Sequence, residues 1–198
     1  MKMNLPNRLT LLRVLMIPFF VFFMLMSIRG ADIAVLRTGA VQSFIIQRYI
    51  SFAIFAAASF TDFLDGMIAR KFHLVTDFGK FMDPLADKLL VCSALILLTA
   101  EGSLSAVVVI VVIAREFIIS GFRLIAADNG IVIAASWWGK FKTVFQMLLC
   151  MALILPTMPA FLGETVMSIL TAAVLVLTIV SLADYMIKNI KVITDGGM

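Results

Sequence analysis

Histidine and cysteine are nearly missing from this chain: 198 residues hold one histidine, His73, and two cysteines, Cys92 and Cys150. Zinc, which recruits those residue types, is poorly served. A disulfide or redox pair is not indicated either, since both cysteines lie inside apolar runs and read as small membrane-embedded hydrophobes. His73 falls in a connecting loop and reads as a solvated or interfacial residue. Charge is scarce too, at 14% of residues against 63% hydrophobic, a balance foreign to soluble domains. The net charge of +4 is spread along the chain rather than gathered on one face, which argues against nucleic-acid binding. Low-complexity tracts and internal repeats are absent.

What is abundant is apolar bulk, with 17 Phe and 13 Met. The chain reads as one membrane domain over 1–198, an all-α integral membrane bundle. Six spans are predicted, Thr10–Met26, Tyr49–Asp62, Leu85–Ala100, Leu104–Ile125, Thr143–Leu155 and Thr165–Asp184. Lys2, Arg8 and Arg13 ahead of Val14–Met26 imitate a secretory signal, but no small-x-small cleavage site is obvious. The segment reads as a retained first helix. Some apolar cores are shorter than the ~20 residues that cross hydrocarbon. The third spans only if its helix continues back through Asp87 towards Asp83, with those carboxylates turned to the protein interior or a wet cavity. A re-entrant or interfacial segment is the alternative.

Of the sixteen basic residues, all but Arg29, Arg37 and Arg48 fall on the side that holds both termini. The positive-inside rule makes that side cytoplasmic. Arg29–Arg48 is expected to form an external loop with a short surface helix, using Ile33, Leu36, Phe44 and Ile45. Trp137 and Trp138 suit a membrane interface. Asp184, Tyr185, Lys188 and Lys191 read as a solvated helix terminus that contributes to packing.

Between the second and third spans lies TDFLDGMIARKFHLVTDFGKFMDPLADK. Asp62 and Asp65 are three apart and Asp83 and Asp87 four apart, so on helices each pair shares a face. Carboxylates so close repel unless a cation neutralises them. Gly66 and Gly79 leave room for close approach, and Pro84 is expected in the first turn of a helix. Oxygen-only ligands suit Mg²⁺, Mn²⁺ or Ca²⁺. Two ions about 4 Å apart, with Arg70 adding positive charge, can bind a diphosphate and support in-line displacement. Salt bridging to Arg70, Lys71, Lys80 and Lys88 is the alternative, and four aspartates at helical spacing beside two well-placed glycines make it weak.

The pattern Asp62-x-x-Asp65-Gly66-x-x-Ala69-Arg70, eight residues, Gly79-x-x-x-Asp83-x-x-x-Asp87 resembles the signature of the CDP-alcohol phosphatidyltransferases. The resemblance implies a six-helix membrane bundle, a CDP-linked lipid donor, a pair of divalent ions (Mg²⁺ or Mn²⁺), CMP release and commonly a homodimer. It makes Asp62, Asp65, Asp83 and Asp87 metal ligands, with Asp87 also the base for the acceptor hydroxyl. Metal binding lowers a carboxylate's proton affinity, so those two roles of Asp87 partly conflict. Gly66, Ala69 and Gly79 would leave space for cytidine and ribose, and Arg70 would approach the diphosphate. Asn7, Thr10 and Arg13 recur every third residue after Pro6 and resemble the family's N-terminal share of the nucleotide pocket.

Arg115, Arg123, Lys140 and Lys142 offer charge for a soluble anionic acceptor. Glycerol 3-phosphate fits them better than choline or ethanolamine, which favour acidic or aromatic groups. Glu116 can pair with a neighbouring base, but the facing rule predicts no contact with Arg115, the adjacent residue. Positive-inside anchoring is the other reading of the two lysines. REFIISGFR and GKFKTVFQ are similar to the bacterial branch of the family that makes phosphatidylglycerophosphate. That similarity implies CDP-diacylglycerol as donor, sn-glycerol 3-phosphate as acceptor and an active site at the cytoplasmic face of a bacterial cytoplasmic membrane. Phosphatidylglycerol as acceptor, giving cardiolipin, is the nearest alternative, with inositol phosphate and serine behind it. A transporter or a membrane scaffold remains the non-enzyme reading, although no inverted repeat is visible.

Overall fold

A chain in hydrocarbon finds no water for its peptide groups, and a helix satisfies them within the segment. The computed structural model describes residues 5–34, 40–71, 77–128, 130–131, 133, 136–156 and 160–190, with the side chains of 5–6, 31–34, 40–43, 63, 65–66, 68–71, 77–81, 84, 128 and 160–162 left aside. Six helices account for nearly all of these residues: α1 Leu5–Ala34, α2 Ala40–Lys71, α3 Asp77–Ala100, α4 Ala106–Asp128, α5 Trp137–Ile154 and α6 Ala160–Asn189. Three contain stretches long and apolar enough to cross a membrane by length and composition, 7–30, 44–62 and 163–189. The other helices carry the charges that break up their apolar runs: Asp83, Asp87 and Lys88 in α3, Arg115, Glu116 and Arg123 in α4, Lys140 and Lys142 in α5. The protein is an all-α integral membrane protein, as expected.

The helices outrun the predicted spans. No separate surface helix occupies Arg29–Arg48 among the described residues: Ile33 ends in α1, and Phe44 and Ile45 belong to α2. Leu36 lies outside the described residues. Arg48 is buried rather than external. Its Nε donates to the carbonyl of Ile154 at 2.9 Å and its Nη2 to that of Leu153 at 2.6 Å, while Nη1 pairs with Glu101. Those two carbonyls close α5, where a helix has no amides of its own to offer. A charged residue can therefore continue α2 because its charge is spoken for.

Pro84 also departs from expectation. α3 begins at Asp77, so the proline lies inside the helix rather than in its first turn. Membrane helices tolerate interior proline where neighbours re-satisfy the backbone. The continuation of α3 back through Asp87 and Asp83 is as predicted. Glycine ends two helices in the left-handed conformation that side chains disfavour. At Gly102 (φ 84°) Ser103 N–H reaches back to Leu98 O, and at Gly130 (φ 72°) Ile131 N–H reaches Ala126 O.

The chain divides into two compact units, one of 1–103 with 150–158, the other of 104–149 with 159–198. In the first, α1 packs along α2 and also meets α3. Phe20 and Phe55 are fully buried, with ring centroids 5.5 Å apart, and Met24, Ala58, Ala94 and Leu98 of the same unit are buried as well. In the second, α4 packs on α6 through Ile119, Phe122 and Tyr185. Tyr185 is thus a core residue, while Lys188, paired with Asp184 at 2.5 Å, carries the solvated character expected of that end.

Candidate active site

Three residues at every third position of a helix fall within one sector, and α1 buries that sector. Asn7, Thr10 and Arg13 are all buried, Arg13 completely. Thr10 Oγ1 donates to Asp83 Oδ1 at 2.6 Å, and Arg13 Nη1 pairs with Asp62 Oδ1 at 2.5 Å. One helix thereby braces two carboxylates, from the end of α2 and the start of α3. Asp62 and Asp83 lie near enough for their charges to interact. Both remain partly accessible, as does Asp87 one turn along α3.

Asp65, Gly66, Ala69 and Arg70 sit in the last turns of α2, and Gly79 in the first turn of α3. Their side chains are outside the described set, and His73 lies outside the described residues. Among the described residues no group of three acidic, histidine or cysteine side chains assembles for a metal, and the Asp65 side chain is not among those described. The donor chemistry nevertheless fits a hard divalent cation. Asp62 and Asp83 bring oxygen ligands from two helices. Both contacts with α1 engage Oδ1, and each carboxylate presents two oxygens.

The second unit holds a separate ionic cluster. Glu116 Oε1 accepts from Lys142 Nζ at 2.5 Å and from Arg115 Nη1 at 2.9 Å. Arg115 Nε donates to Ser181 Oγ at 3.1 Å on α6, and Ser181 donates onward to Thr178 O at 3.1 Å. A Cβ on Gly139 would stand 3.1 Å from Arg115 Nη2. Glycine there admits the guanidinium to the start of α5, which Ser136 caps by accepting the Gly139 N–H. The contact of Arg115 with Glu116 overturns the expectation that adjacent residues cannot meet. The facing rule concerns Cβ directions, and a long guanidinium side chain can bend back to the same Glu116 oxygen that Lys142 reaches.

The four expected acceptor cations separate into pairs. Arg115 and Lys142 are buried on Glu116, whereas Arg123 and Lys140 are exposed. Arg123 lies 5.9 Å from the Tyr185 ring centroid, and Lys140 4.7 Å from that of Trp137. Ser181 and Gly139 are partners of Arg115 not expected from the sequence, although Gly139 opens the GKFKTVFQ stretch. A signal exists for Ser181, since Thr178 and Ser181 are polar residues three apart in a long apolar helix. Removing one partner from a buried ionic group typically costs ~3–5 kcal/mol. Glu116→Gln leaves two buried cations without the carboxylate between them, so a stability loss of about 3 kcal/mol is expected. Thermal unfolding of the detergent-solubilised protein checks this, and an unchanged midpoint would rule out Glu116 as their anchor.

An all-helical membrane fold with braced carboxylates on two adjoining helices defines an integral membrane protein with an acidic centre. A family model described as CDP-alcohol phosphatidyltransferase matches residues 3–183, and the chain belongs to that family. It is 43% identical over 187 residues to the CDP-diacylglycerol–glycerol-3-phosphate 3-phosphatidyltransferase of Bacillus subtilis, covering 94% of this chain and 95% of the relative. A probable phosphatidylglycerophosphate synthase of Mycobacterium tuberculosis is 37% identical over 196 residues, 98% of this chain and 85% of that protein. The Haemophilus influenzae protein named as in Bacillus is 40% identical over 152 residues, 75% and 74% of the two chains.

Proposed function

We infer that this protein is a transferase of phospholipid synthesis. It moves the phosphatidyl group of CDP-diacylglycerol to sn-glycerol 3-phosphate, yielding phosphatidylglycerophosphate and CMP. The observation that carries this reading is the 43% identity to a relative of that name along nearly the whole of both chains. The family signature leaves the alcohol open, and the relatives' names favour glycerol 3-phosphate over phosphatidylglycerol. The family match runs through both compact units, which supports treating 1–198 as one catalytic domain.

The family is generally dependent on a divalent metal, and Asp62, Asp65, Asp83 and Asp87 are the residues that would hold it. When bound, a pair of Mg²⁺ or Mn²⁺ ions supplies Lewis-acid neutralisation of diphosphate charge. Asn7, Thr10 and Arg13 line the nucleotide side in this reading, with Gly66, Ala69 and Gly79 making room and Arg70 meeting the diphosphate. Asp87 takes the proton of the acceptor hydroxyl as its oxygen attacks the β-phosphorus. The bond from that phosphorus to the bridging oxygen breaks, and the oxygen leaves with CMP. Arg115, Arg123, Lys140 and Lys142 hold the acceptor's phosphate. The basic-residue distribution supports a site on the cytoplasmic face of a bacterial cytoplasmic membrane, where donor tails stay in lipid. A homodimer belongs to the same reading and is supported by family membership alone.

The test is CMP release from CDP-diacylglycerol by purified protein with Mg²⁺ or Mn²⁺, using glycerol 3-phosphate, phosphatidylglycerol or inositol phosphate as acceptor. Release with glycerol 3-phosphate, falling to background when the metal is chelated, is expected. Release with phosphatidylglycerol alone would overturn the acceptor, and full activity in chelator would overturn the carboxylate assignment.

A further inference from the structure

Between Val144 and Ile154, α5 is apolar except for one amide, Gln146. That side chain is buried to 4% exposure, and its Oε1 has no hydrogen-bond partner among the described residues. A buried acceptor left unmatched opposes folding, and an apolar residue of similar volume would avoid that loss. Gln146 follows Lys142 by four residues and Gly139 by seven, so the three share one face of α5. That face is already engaged with charge, Lys142 on Glu116 and Gly139 against Arg115. Gln146 extends this polar line one turn further along the helix, about 6 Å beyond Lys142.

The chemistry of the acceptor accounts for the unmatched oxygen. Glycerol 3-phosphate has three polar parts: a phosphate, the primary hydroxyl that attacks, and a secondary hydroxyl that the reaction leaves untouched. Cations suit the first and a base the second, and the third needs a neutral acceptor. An amide oxygen provides one without adding negative charge beside the phosphate. We propose that Gln146 Oε1 accepts a hydrogen bond from the secondary hydroxyl of the acceptor and selects for it. This rests on the reading of glycerol 3-phosphate as acceptor and names a specificity residue within it.

The test compares glycerol 3-phosphate with 3-hydroxypropyl phosphate, which keeps the phosphate and the primary hydroxyl but lacks the secondary one. A site that hydrogen-bonds a hydroxyl discriminates against the analogue without it. Wild-type protein should favour glycerol 3-phosphate by at least about tenfold in kcat/KM. Gln146→Met should bring that ratio close to one by lowering kcat/KM for glycerol 3-phosphate alone, with KM for CDP-diacylglycerol unchanged. Equal use of both acceptors by the wild type overturns the proposal without recourse to a variant. A variant that loses activity on both acceptors in proportion, keeping the ratio, also overturns it, because a packing role acts that way. If the wild type does not use glycerol 3-phosphate at all, the functional reading fails first and takes this proposal with it.

Discussion

Asp83→Asn should reduce CMP release at least about a hundredfold, the scale on which removal of a catalytic charge or proton-transfer group acts, while leaving the protein folded. The reason lies in the contact that Asp83 makes. Its Oδ1 accepts the Thr10 hydroxyl at 2.6 Å, and an asparagine side-chain oxygen in the same place still accepts that bond, more weakly. What asparagine lacks is the charge. The variant thus separates the carboxylate's chemistry from its place in the fold. Paired measurements of CMP release and thermal unfolding check it, and a folded variant with wild-type turnover would remove Asp83 from the reaction.

Asp62→Asn should behave differently, losing activity and stability together. Arg13 is fully buried, and its guanidinium meets the Asp62 carboxylate at 2.5 Å. Taking the carboxylate from a buried cation costs on the order of 3–5 kcal/mol in a fully buried pair, and less here because the Asp62 side chain is itself 37% exposed. Replacing both members of such a pair by neutral groups is often close to neutral. The double variant Asp62→Asn with Arg13→Met should therefore recover much of the lost unfolding free energy while remaining inactive. Denaturation of the single and double variants in the same detergent measures this. If the double variant is no more stable than Asp62→Asn, the ion pair is not the source of the loss.

The spacing of the aspartates, the shared face of Asn7, Thr10 and Arg13, and the number of apolar segments are legible in the amino-acid sequence. Each is a local pattern, set by helical periodicity or by the length of an uncharged run. Helix ends are less legible, because an apolar run stops at the first charge whereas a helix continues wherever that charge finds a partner. Arg48 shows this: its partners, Glu101 and the carbonyls of Leu153 and Ile154, are remote in sequence. Pro84 misleads for a related reason, since the first-turn rule is framed for helices in water. Ser181 and Gly139 gather around Arg115 through tertiary contact; the spacing of Thr178 and Ser181 marks a polar place on α6 but does not name its partner. The roles of Asp65, Arg70 and Gly79 rest on the sequence pattern, their side chains being outside the described set.

The position of Thr10 and Arg13 on the first helix also bears on how the protein is made. Translation delivers α1 before α2 and α3, and chains begin to organise from the N-terminal end. The cation and the hydroxyl that receive Asp62 and Asp83 are thus in the bilayer before either acid arrives. Each newly synthesised carboxylate meets a waiting partner rather than only its own kind, so the first helix acts as an assembly guide for the residues that follow it.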